Sequence, residues 1–214
     1  MIRILLADDH TLVREGLKQL LGASPDLRVV AEAVDGDAAL ARVRDTELDI
    51  ALVDMSMPGL SGIDLVKRLK LEKPSLKVVV LSMHGEQQYA ARAYKAGASA
   101  YLTKDSAAAQ LEAALRKVAA GGVWVSPAAA EHLVMGARGG GGSGLPHTQL
   151  SDREFEVFML IVGGRSLTEI GEALHLSVKT VSTHKTRLLQ KMNMGGTAEL
   201  VRYAVEHRLI DTQG

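Results

Sequence analysis

The sequence predicts a doubly wound α/β fold with a five-stranded parallel sheet, followed by a second, all-α domain of four helices. Two observations predict this division. Roughly the first 120 residues alternate short apolar runs with amphipathic stretches, whereas helical periodicity alone follows Gln149. A third observation is the glycine-rich segment between the two patterns, which is typical of a linker between domains.

The predicted strands are short runs rich in Val, Ile and Leu. They are Ile2–Ala7, Val29–Ala33, Ile50–Val53, Val78–Leu81 and Ala100–Leu102. Such continuous apolar runs are typical of strands that are buried on both faces, as in a parallel sheet. A functional site in such a sheet is expected at the carboxyl ends of the strands.

Helical spacing fills the stretches between these runs. One predicted helix face carries Leu12, Val13, Leu17, Leu20 and Leu21, and another carries Leu111, Ala114, Leu115 and Val118. In the second domain we expect four helices, at about residues 151–162, 167–174, 178–192 and 197–207. Two capping boxes mark the starts of the first two: Ser151 with Glu154, and Ser166 with Glu169.

We place the domain boundaries by composition. The sheet domain is expected over residues 1–121, the linker over 122–145 and the helical domain over 146–214. Within the linker, Ser126–Met135 could form one helix with Pro127 in its first turn. The segment Gly139–Gly144 then follows as a flexible tether.

Bulk composition narrows the class of protein. Hydrophobic residues make up 47% of the 214 residues, which is enough to form a core, and 25 bases balance 25 acids. Because there is no cysteine, a disulfide framework and a thiolate zinc site are excluded. The N-terminus does not resemble a signal peptide, and no apolar run approaches the length of a membrane span. We therefore expect a cytoplasmic protein with no membrane partner.

Charged and polar residues follow several of the predicted strands. Asp8 and Asp9 end the first, Asp54 ends the third, Ser82 closes the fourth and Lys104 follows the fifth. These strand ends share one edge of a parallel sheet, so the carboxylates should converge and repel one another. A hard divalent cation such as Mg²⁺ would offset that repulsion. Asp54 could then attack a phosphoryl group, whose oxygens Lys104 and Ser82 would stabilise.

A structural alternative stays open for two of these residues. Asp8 and Asp9 precede a predicted helix, and acids are favoured at helix N-termini as caps.

The helix predicted over residues 178–192 has the charge pattern of a DNA-contacting element. No acid occurs between Glu172 and Glu199, and the window holds Lys179, Lys185, Arg187 and Lys191. Each base alone could be an ordinary solvated charge, but four in an acid-free helix favour contact with nucleic acid. The apolar residues Val181, Leu188 and Met192 should enter the core. The opposite face carries Lys179, Ser182, Thr183, Thr186 and Gln190.

This pattern predicts how the helix would contact DNA. Small polar side chains can approach base edges, so Ser182, Thr183 and Thr186 are expected to lie nearest the major groove. The predicted flanking contacts are Lys179 and Thr180 at the helix entrance, and Lys185, Arg187 and Lys191 on phosphates. The short turn His175–Ser177 before the helix is typical of a helix-turn-helix, and His184 should pack beside the core face.

Together these motifs resemble bacterial response regulators of the NarL/FixJ class, over nearly the whole chain outside the tether. The pieces that match a receiver domain are Ala7-Asp8-Asp9-His10, Val53-Asp54-Met55-Ser56-Met57-Pro58-Gly59, Leu81-Ser82-Met83, Lys95-Ala96-Gly97-Ala98 and Tyr101-Leu102-Thr103-Lys104. The segment from Leu150 to Met192 is similar to a LuxR-type helix-turn-helix domain.

The resemblance implies a flavodoxin-like receiver in which Asp54 is the phosphoacceptor. It implies Mg²⁺ held by Asp9, by Asp54, by the backbone carbonyl of Ser56 and by Asp8 through water. It also implies that Ser82 and Tyr101 form a switch pair, although Tyr101 could instead be an ordinary core residue. The protein would be no enzyme, beyond accepting a phosphoryl group and slowly losing it.

The partners that the resemblance implies are double-stranded DNA, a sensor histidine kinase, RNA polymerase and a second copy of the chain. The last helix carries an apolar stripe of Leu200, Val201, Ala204 and Val205; core packing explains part of it, and the resemblance adds a homodimer contact. Three positions depart from the family pattern. Asp105 follows Lys104 where receivers often have a proline in a cis bond, and Thr168 and Thr197 replace frequent bases.

Other functions fit the sequence less well. A phosphohydrolase that works through an aspartyl-phosphate needs a second aspartate two residues after the nucleophile, where this chain has Ser56. The acid-free helix argues against a module that only binds protein. No GxxxxGK[ST] motif of a P-loop enzyme occurs.

Overall fold

A computed structural model describes residues 1–57, 59–60, 62–83, 86–126, 129–130, 145–207 and 209–210, without the side chains of 86–88 and 108. The chain forms two compact units, Met1–Met135 and Gly136–Gly214. The first contains the predicted sheet with the helices between its strands, and the second contains the four predicted helices of the all-α domain.

The sheet of the first unit has five parallel strands in the order β2-β1-β3-β4-β5. The strands are β1 (Ile2–Ala7), β2 (Leu27–Ala33), β3 (Ile50–Asp54), β4 (Lys77–Ser82) and β5 (Ala100–Thr103). All five residues of β3 are buried, as expected for a central strand covered on both faces. The doubly wound parallel sheet that the sequence predicts is confirmed.

Helices alternate with these strands. They are α1 (Thr11–Gly22), α2 (Gly36–Asp45), α3 (Gly62–Glu72), α4 (Glu86–Ala96) and α5 (Lys104–Ala119). The predicted stripe of α5 is confirmed, since Leu111, Ala114, Leu115 and Val118 are fully buried.

One part of the predicted α1 face is wrong. Leu12 is 87% exposed, whereas Leu21 in the last turn is buried. The first turn of α1 follows the carboxyl end of β1 and stands at the sheet edge, where the interior opens to solvent. Helical spacing alone places Leu12 near the stripe but does not show where the sheet ends.

The register of the strands brings their carboxyl ends to one edge. Ala7 of β1 pairs with Val53 of β3, and the next residue, Asp54, pairs with Leu81 of β4. β1 and β3 are neighbours although β2 lies between them in the chain, so the winding direction reverses between them. Ligands bind at such a switch point in open α/β sheets.

The second unit is helical. A 3₁₀ turn at Pro146–Gln149 precedes α6 (Asp152–Val162), α7 (Leu167–Ala173), α8 (Val178–Met192) and α9 (Thr197–Glu206). Both predicted capping boxes are present, with Ser151 and Ser166 as the N-caps of α6 and α7. These helices agree with the predicted ones to within a residue or two.

The start of the linker stays attached to the first unit. Trp124 forms a parallel bridge with Ala100 of β5, and its amide donates to the Ser99 carbonyl at 2.9 Å. The Tyr94 hydroxyl of α4 donates to the Trp124 carbonyl at 2.6 Å. The chain therefore leaves the sheet domain along the edge formed by α4 and β5.

Most of the predicted linker helix, Ser126–Met135, and the whole tether, Gly139–Gly144, lie outside the described residues. At the start of that helix the Ser126 side chain accepts from the Ala129 amide at 3.1 Å, as a helix N-cap does. Within the part of the chain that the structure describes, no helix is long and apolar enough to cross a membrane.

Candidate functional site

A buried ion triad lies at the switch point of the sheet. The Lys104 ammonium is 2.8 Å from Asp8 Oδ2 and 2.9 Å from Asp54 Oδ2. Both carboxylates are buried, and the Lys104 side chain is only 13% exposed. Buried charges persist only when they are paired, and here one cation serves two anions. The site therefore keeps a net negative charge.

The strand ends position the two carboxylates. The amide of Asp8, directly after β1, donates to the Ala33 carbonyl at the end of β2 at 3.2 Å. Asp54 is the last residue of β3, and the Ser56 amide donates to its Oδ1 atom at 3.3 Å. These backbone contacts leave each side chain at the carboxyl edge, as the sequence predicts.

Lys104 is positioned by the start of α5. The helix begins at Lys104 itself, and the Thr103 side chain caps it by accepting from the Ser106 amide at 3.3 Å. No cis peptide bond occurs among the described residues, so the Lys104–Asp105 bond is trans. Asp105 lies in the first turn of α5, where an acid interacts favourably with the helix dipole.

Asp9 lies beside this triad. Its Oδ1 atom is 2.9 Å from His10 Nδ1 but lacks the alignment of a hydrogen bond, so it is buried without a hydrogen-bond partner among the described residues. The possible ligand atoms of Asp8, Asp9, His10 and Asp54 all lie within 4.8 Å of one another. A buried oxygen without a partner, next to two further carboxylates, fits a hard divalent cation.

The alternative in which Asp8 and Asp9 cap the first helix is wrong. The N-cap of α1 is His10, which makes no side-chain capping bond. Asp8 Oδ1 instead accepts from the His10 amide at 2.8 Å, within the loop. His10 therefore makes local hydrogen bonds.

Burial and neighbouring charges raise the pKa values of both Asp54 and Lys104. Burial raises the pKa of the Asp54 carboxyl above its ordinary value, although the Lys104 ammonium opposes this. Burial also acts to lower the pKa of Lys104, but hydrogen bonds and attraction from Asp8 and Asp54 outweigh it, so that pKa is raised. The lysine is therefore held as a cation.

Two further predicted residues are buried near the same edge. Ser82 ends β4, and Tyr101 pairs with Val80 across β4 and β5. Tyr101 is fully buried, so its ring belongs to the core in this structure. That position fits a plain core residue and one state of a switch equally well.

In the second unit, α7 and α8 form a tight helix-turn-helix. His175 adopts the left-handed conformation, with φ of 52°. A Cβ atom on Gly171 would lie only 2.8 Å from the Leu176 carbonyl oxygen, so only glycine fits this close approach. The Ser177 side chain then caps α8 by accepting from the Thr180 amide at 3.1 Å.

The two faces of α8 are those that the sequence predicts. The buried residues are Val181, Leu188 and Met192. The exposed residues include Lys179, Ser182, Thr183, Thr186, Arg187 and Gln190. The Thr183 and Thr186 hydroxyls donate to the carbonyls of Lys179 and Ser182, at 3.0 and 3.1 Å, which leaves their oxygens able to accept.

Three other predicted residues of α8 are less exposed than expected or already have partners. Thr180 is half-buried, and its hydroxyl lies 2.8 Å from the Ser177 hydroxyl, within the cap. Lys185 is also half-buried. The Lys191 ammonium lies 2.7 Å from Glu154 Oε2, a carboxylate that is 5% exposed and also accepts from the Ser151 amide. Lys191 thus has a partner within its own domain.

Sequence reasoning missed a further cation in this unit. Arg153 donates to the Leu174 carbonyl at the end of α7, at 2.8 Å, and to Glu156 at 2.7 Å. It therefore ties α6 to α7 beside the turn. His184 is half-buried as expected, and burial lowers its pKa.

Comparison with known proteins assigns the family. Residues 4–116 match the response regulator receiver domain, and residues 148–204 match the bacterial regulatory proteins of the luxR family. The chain is a response regulator. Its first unit carries the receiver domain and its second the luxR-type DNA-binding domain, as the sequence predicts.

Relatives of this response regulator match it along their whole length. Response regulator GacA of Pseudomonas viridiflava is 35% identical over 211 residues, which is 99% of each chain. Response regulator UvrY of Escherichia coli (strain K12) is 33% identical over 213 residues, covering 100% of this chain and 98% of that one. The response regulator is therefore similar to two-component regulators over both of its domains.

Solved structures of similar fold contain DNA. RcsB from Salmonella enterica serovar Typhimurium, bound to promoter P1flhDC in the presence of phosphomimetic BeF3⁻, matches with a TM-score of 0.66 and 27% identity, over 96% of this chain and 98% of that one. An RcsB–DNA complex matches with a TM-score of 0.60 and 26% identity, over 95% and 98% of the chains.

Proposed function

We propose that Asp54 of this response regulator accepts a phosphoryl group from a sensor histidine kinase, and that this controls sequence-specific binding to double-stranded DNA and transcription. The observation that carries the proposal is the Lys104 ammonium 2.9 Å from Asp54 Oδ2 at the carboxyl edge of the sheet. A cation at that place can stabilise the oxygens of a phosphoryl group bound to Asp54.

The phosphoryl transfer is an in-line displacement. An Asp54 carboxylate oxygen attacks phosphorus, the bond from phosphorus to the donor breaks, and the donor leaves with the electron pair. Lys104 would stabilise the charge on the new phosphoryl oxygens, and the Ser82 hydroxyl would donate a hydrogen bond to them. Hydrolysis of the acyl phosphate by water would return the free carboxylate slowly.

Mg²⁺ is the cofactor that this donor set would hold. Its proposed ligands are Asp9, Asp54 and the backbone carbonyl of Ser56, with Asp8 acting through water. Asp9 Oδ1, which is buried without a hydrogen bond to any described residue, supports this assignment. When bound, the cation supplies the charge neutralisation that lets a phosphate approach three carboxylates.

Phosphorylation at Asp54 would change the receiver and, through it, the DNA-binding domain. Ser82 and Tyr101 would act as the switch pair, with the ring moving as the hydroxyl turns toward the phosphate. In α8, Ser182, Thr183 and Thr186 would face base edges, with Lys179, Thr180, Lys185, Arg187 and Lys191 around them. A homodimer would read a two-fold related site, because one short helix contacts too few bases for specificity.

The receiver would span residues 1–121, the linker 122–145 and the DNA-binding domain 146–214. RNA polymerase would be a further partner, and the protein would act in the cytoplasm.

Phosphoryl uptake tests the assignment of Asp54. The full chain is incubated with acetyl phosphate and Mg²⁺, and its mass is measured. The wild type should gain one phosphoryl group, and Asp54→Asn should gain none, because an amide is not a competent nucleophile. Asp105→Asn, at an acid that follows the site lysine, is the matched control and should still be modified. If Asp54→Asn were modified to the same yield as the wild type, Asp54 would not be the phosphoacceptor.

A further inference from the structure

Arg14 of α1 contacts the loop that carries Asp8 and Asp9, although it has no part in the proposed phosphoryl transfer. Its side chain is only 12% exposed. Nη1 donates to the backbone carbonyl of Asp8 at 2.7 Å, and Nη2 donates to Thr11 Oγ1 at 3.4 Å. Nε lies 3.6 Å from Glu32 Oε2 on β2. One guanidinium therefore contacts both ends of the loop from Asp8 to Thr11, and the neighbouring strand.

These contacts act on the peptide unit that joins the two acids. The carbonyl of Asp8 and the amide of Asp9 belong to one rigid plane. On the other side of Asp8, its amide is held by the Ala33 carbonyl at 3.2 Å. Both backbone polar groups of Asp8 are thus held, its amide by Ala33 and its carbonyl by Arg14, and Lys104 holds its carboxylate.

The Asp9 carboxylate is held less firmly, by a contact at 2.9 Å with Nδ1 of the exposed His10 side chain. Its Oδ1 atom is buried without a hydrogen-bond partner among the described residues. The position of that carboxylate therefore depends on the backbone next to it. Two charge-assisted bonds flank Asp9 on that backbone: the His10 amide donates to Asp8 Oδ1 at 2.8 Å, and Arg14 donates to the Asp8 carbonyl at 2.7 Å.

We propose that Arg14 is a positioning residue, which holds the Asp8–Asp9 peptide so that Asp9 can bind a divalent cation. The proposal rests on the proposed function of the acidic site. Arg14 does not touch the phosphoryl group or the cation; it acts through the loop. Residues that orient the ligands of a metal in this way commonly affect its affinity by tenfold or more.

The positive charge of Arg14 should weaken the binding of a divalent cation, whereas its contacts with the loop should strengthen it. A guanidinium near the site repels a divalent cation, so removing it would strengthen binding if charge dominated. Glu32 partly neutralises that charge, and it also pairs with Lys18 at 2.8 Å. The sign of the change in cation affinity therefore separates the two effects.

Titration calorimetry of the full, unphosphorylated chain with Mg²⁺ measures this affinity. Arg14→Gln should bind Mg²⁺ about tenfold more weakly than the wild type. Arg14→Lys keeps the charge but lacks the planar fork that reaches both partners, and it should also bind more weakly. Lys18→Gln is the control: it removes a cation from the same helix and from the same glutamate, and it should leave the affinity unchanged.

Phosphoryl uptake from acetyl phosphate provides a second measurement. Arg14→Gln should need about tenfold more Mg²⁺ for half the maximal rate. The maximal rate itself should be unchanged, because the nucleophile Asp54 lies on β3 and Arg14 does not hold it. Partial unfolding would lower the maximum without this shift, and circular dichroism would detect it. If Arg14→Gln does not fold, Arg14→Lys decides.

The outcomes separate the two proposals. A wild type that takes up no phosphoryl group contradicts the function of Asp54, whatever Arg14 does. A wild type that is modified, together with an Arg14 variant of equal or tighter Mg²⁺ affinity, overturns the positioning role alone. An equal loss in Lys18→Gln would overturn it as well, since loss of a partner of Glu32 would then suffice without the bond to the Asp8 carbonyl.

Discussion

At the scale of single residues, the pair of Lys191 and Glu154 changes what α8 can offer to DNA. The carboxylate is almost fully buried, whereas the Lys191 side chain is 43% exposed. Burial acts to raise the pKa of Glu154, but the Lys191 ammonium and the Ser151 groups outweigh it, so the pKa is lowered. The ion pair therefore stabilises the charged form of a buried acid. If Lys191 moved away to contact a phosphate, it would leave the buried Glu154 carboxylate without its cation, which costs free energy.

We expect Lys191→Ala to destabilise the helical unit by about 1–3 kcal/mol, because it leaves a buried carboxylate short of a partner. Calorimetric unfolding of the full chain at neutral pH measures this. Lys179→Ala removes an exposed base from the same helix and should change stability little. Equal transition temperatures for Lys191→Ala and the wild type would show that the pair does not stabilise the fold.

The same pair predicts a dependence on pH. Because the pKa of Glu154 is lowered by folding, the unfolded chain takes up a proton first as pH falls through the acidic range. The stabilisation is full above the ordinary glutamate range and is lost as pH falls through the lowered value. Lys191→Ala should reduce this acid sensitivity. His184, whose pKa burial lowers, acts in the same direction below the ordinary histidine range.

Residues such as Arg14 and Arg153 show where sequence reasoning ends. Each is a base on an amphipathic helix, and nothing in its neighbourhood distinguishes it from a solvated charge. Its partner is a backbone carbonyl, of Asp8 or of Leu174, and every residue has one. Only the folded chain determines which carbonyl comes within reach. The acidic residues were predictable because strand ends carry their own signal.

At the scale of elements, local signals were sufficient to predict α8. Ser177 provides a cap, the apolar residues recur at helical spacing, and Asn193 ends the helix in the left-handed conformation. The sheet was predictable because each strand is a distinct apolar run. The exposure of Leu12 was not, since it depends on where the sheet ends.

The exposed face of α8 predicts two classes of variant. Thr183→Ala and Thr186→Ala should change which sequences are preferred, because we propose that these exposed side chains face base edges. Arg187→Ala should weaken all sequences similarly and reduce the salt slope by roughly one unit. Lys191→Ala should reduce the slope less, since Glu154 holds its ammonium. Footprinting and salt titrations of the phosphorylated full chain measure both effects.

A reversed pattern would show that α8 is rotated in the groove. If Arg187→Ala altered base preference while Thr183→Ala only weakened binding uniformly, the face that carries Ser182, Thr183 and Thr186 would not be the one that reads bases.

At the scale of the whole molecule, each unit has its own core. The helical unit buries Phe155, Phe158, Ile170, Val181, Leu188 and Leu200. In the first unit, the chain is held as far as Trp124 by Tyr94 and β5. A short domain with a contiguous core of this kind is expected to fold by itself, although with a small margin of stability.

Residues 146–214 alone should therefore bind DNA without phosphorylation, while the unphosphorylated full chain should bind more weakly. The reason is that we expect the unphosphorylated receiver to restrain the DNA-binding half until phosphorylation releases it. Fluorescence anisotropy with one promoter fragment, at fixed salt, compares the fragment with the full chain before and after acetyl phosphate treatment. Asp54→Asn in the full chain is the control and should stay at the weak level after treatment. If the fragment binds only when a phosphorylated receiver is added back, simple release is wrong, and the receiver must contribute directly to the DNA-bound state.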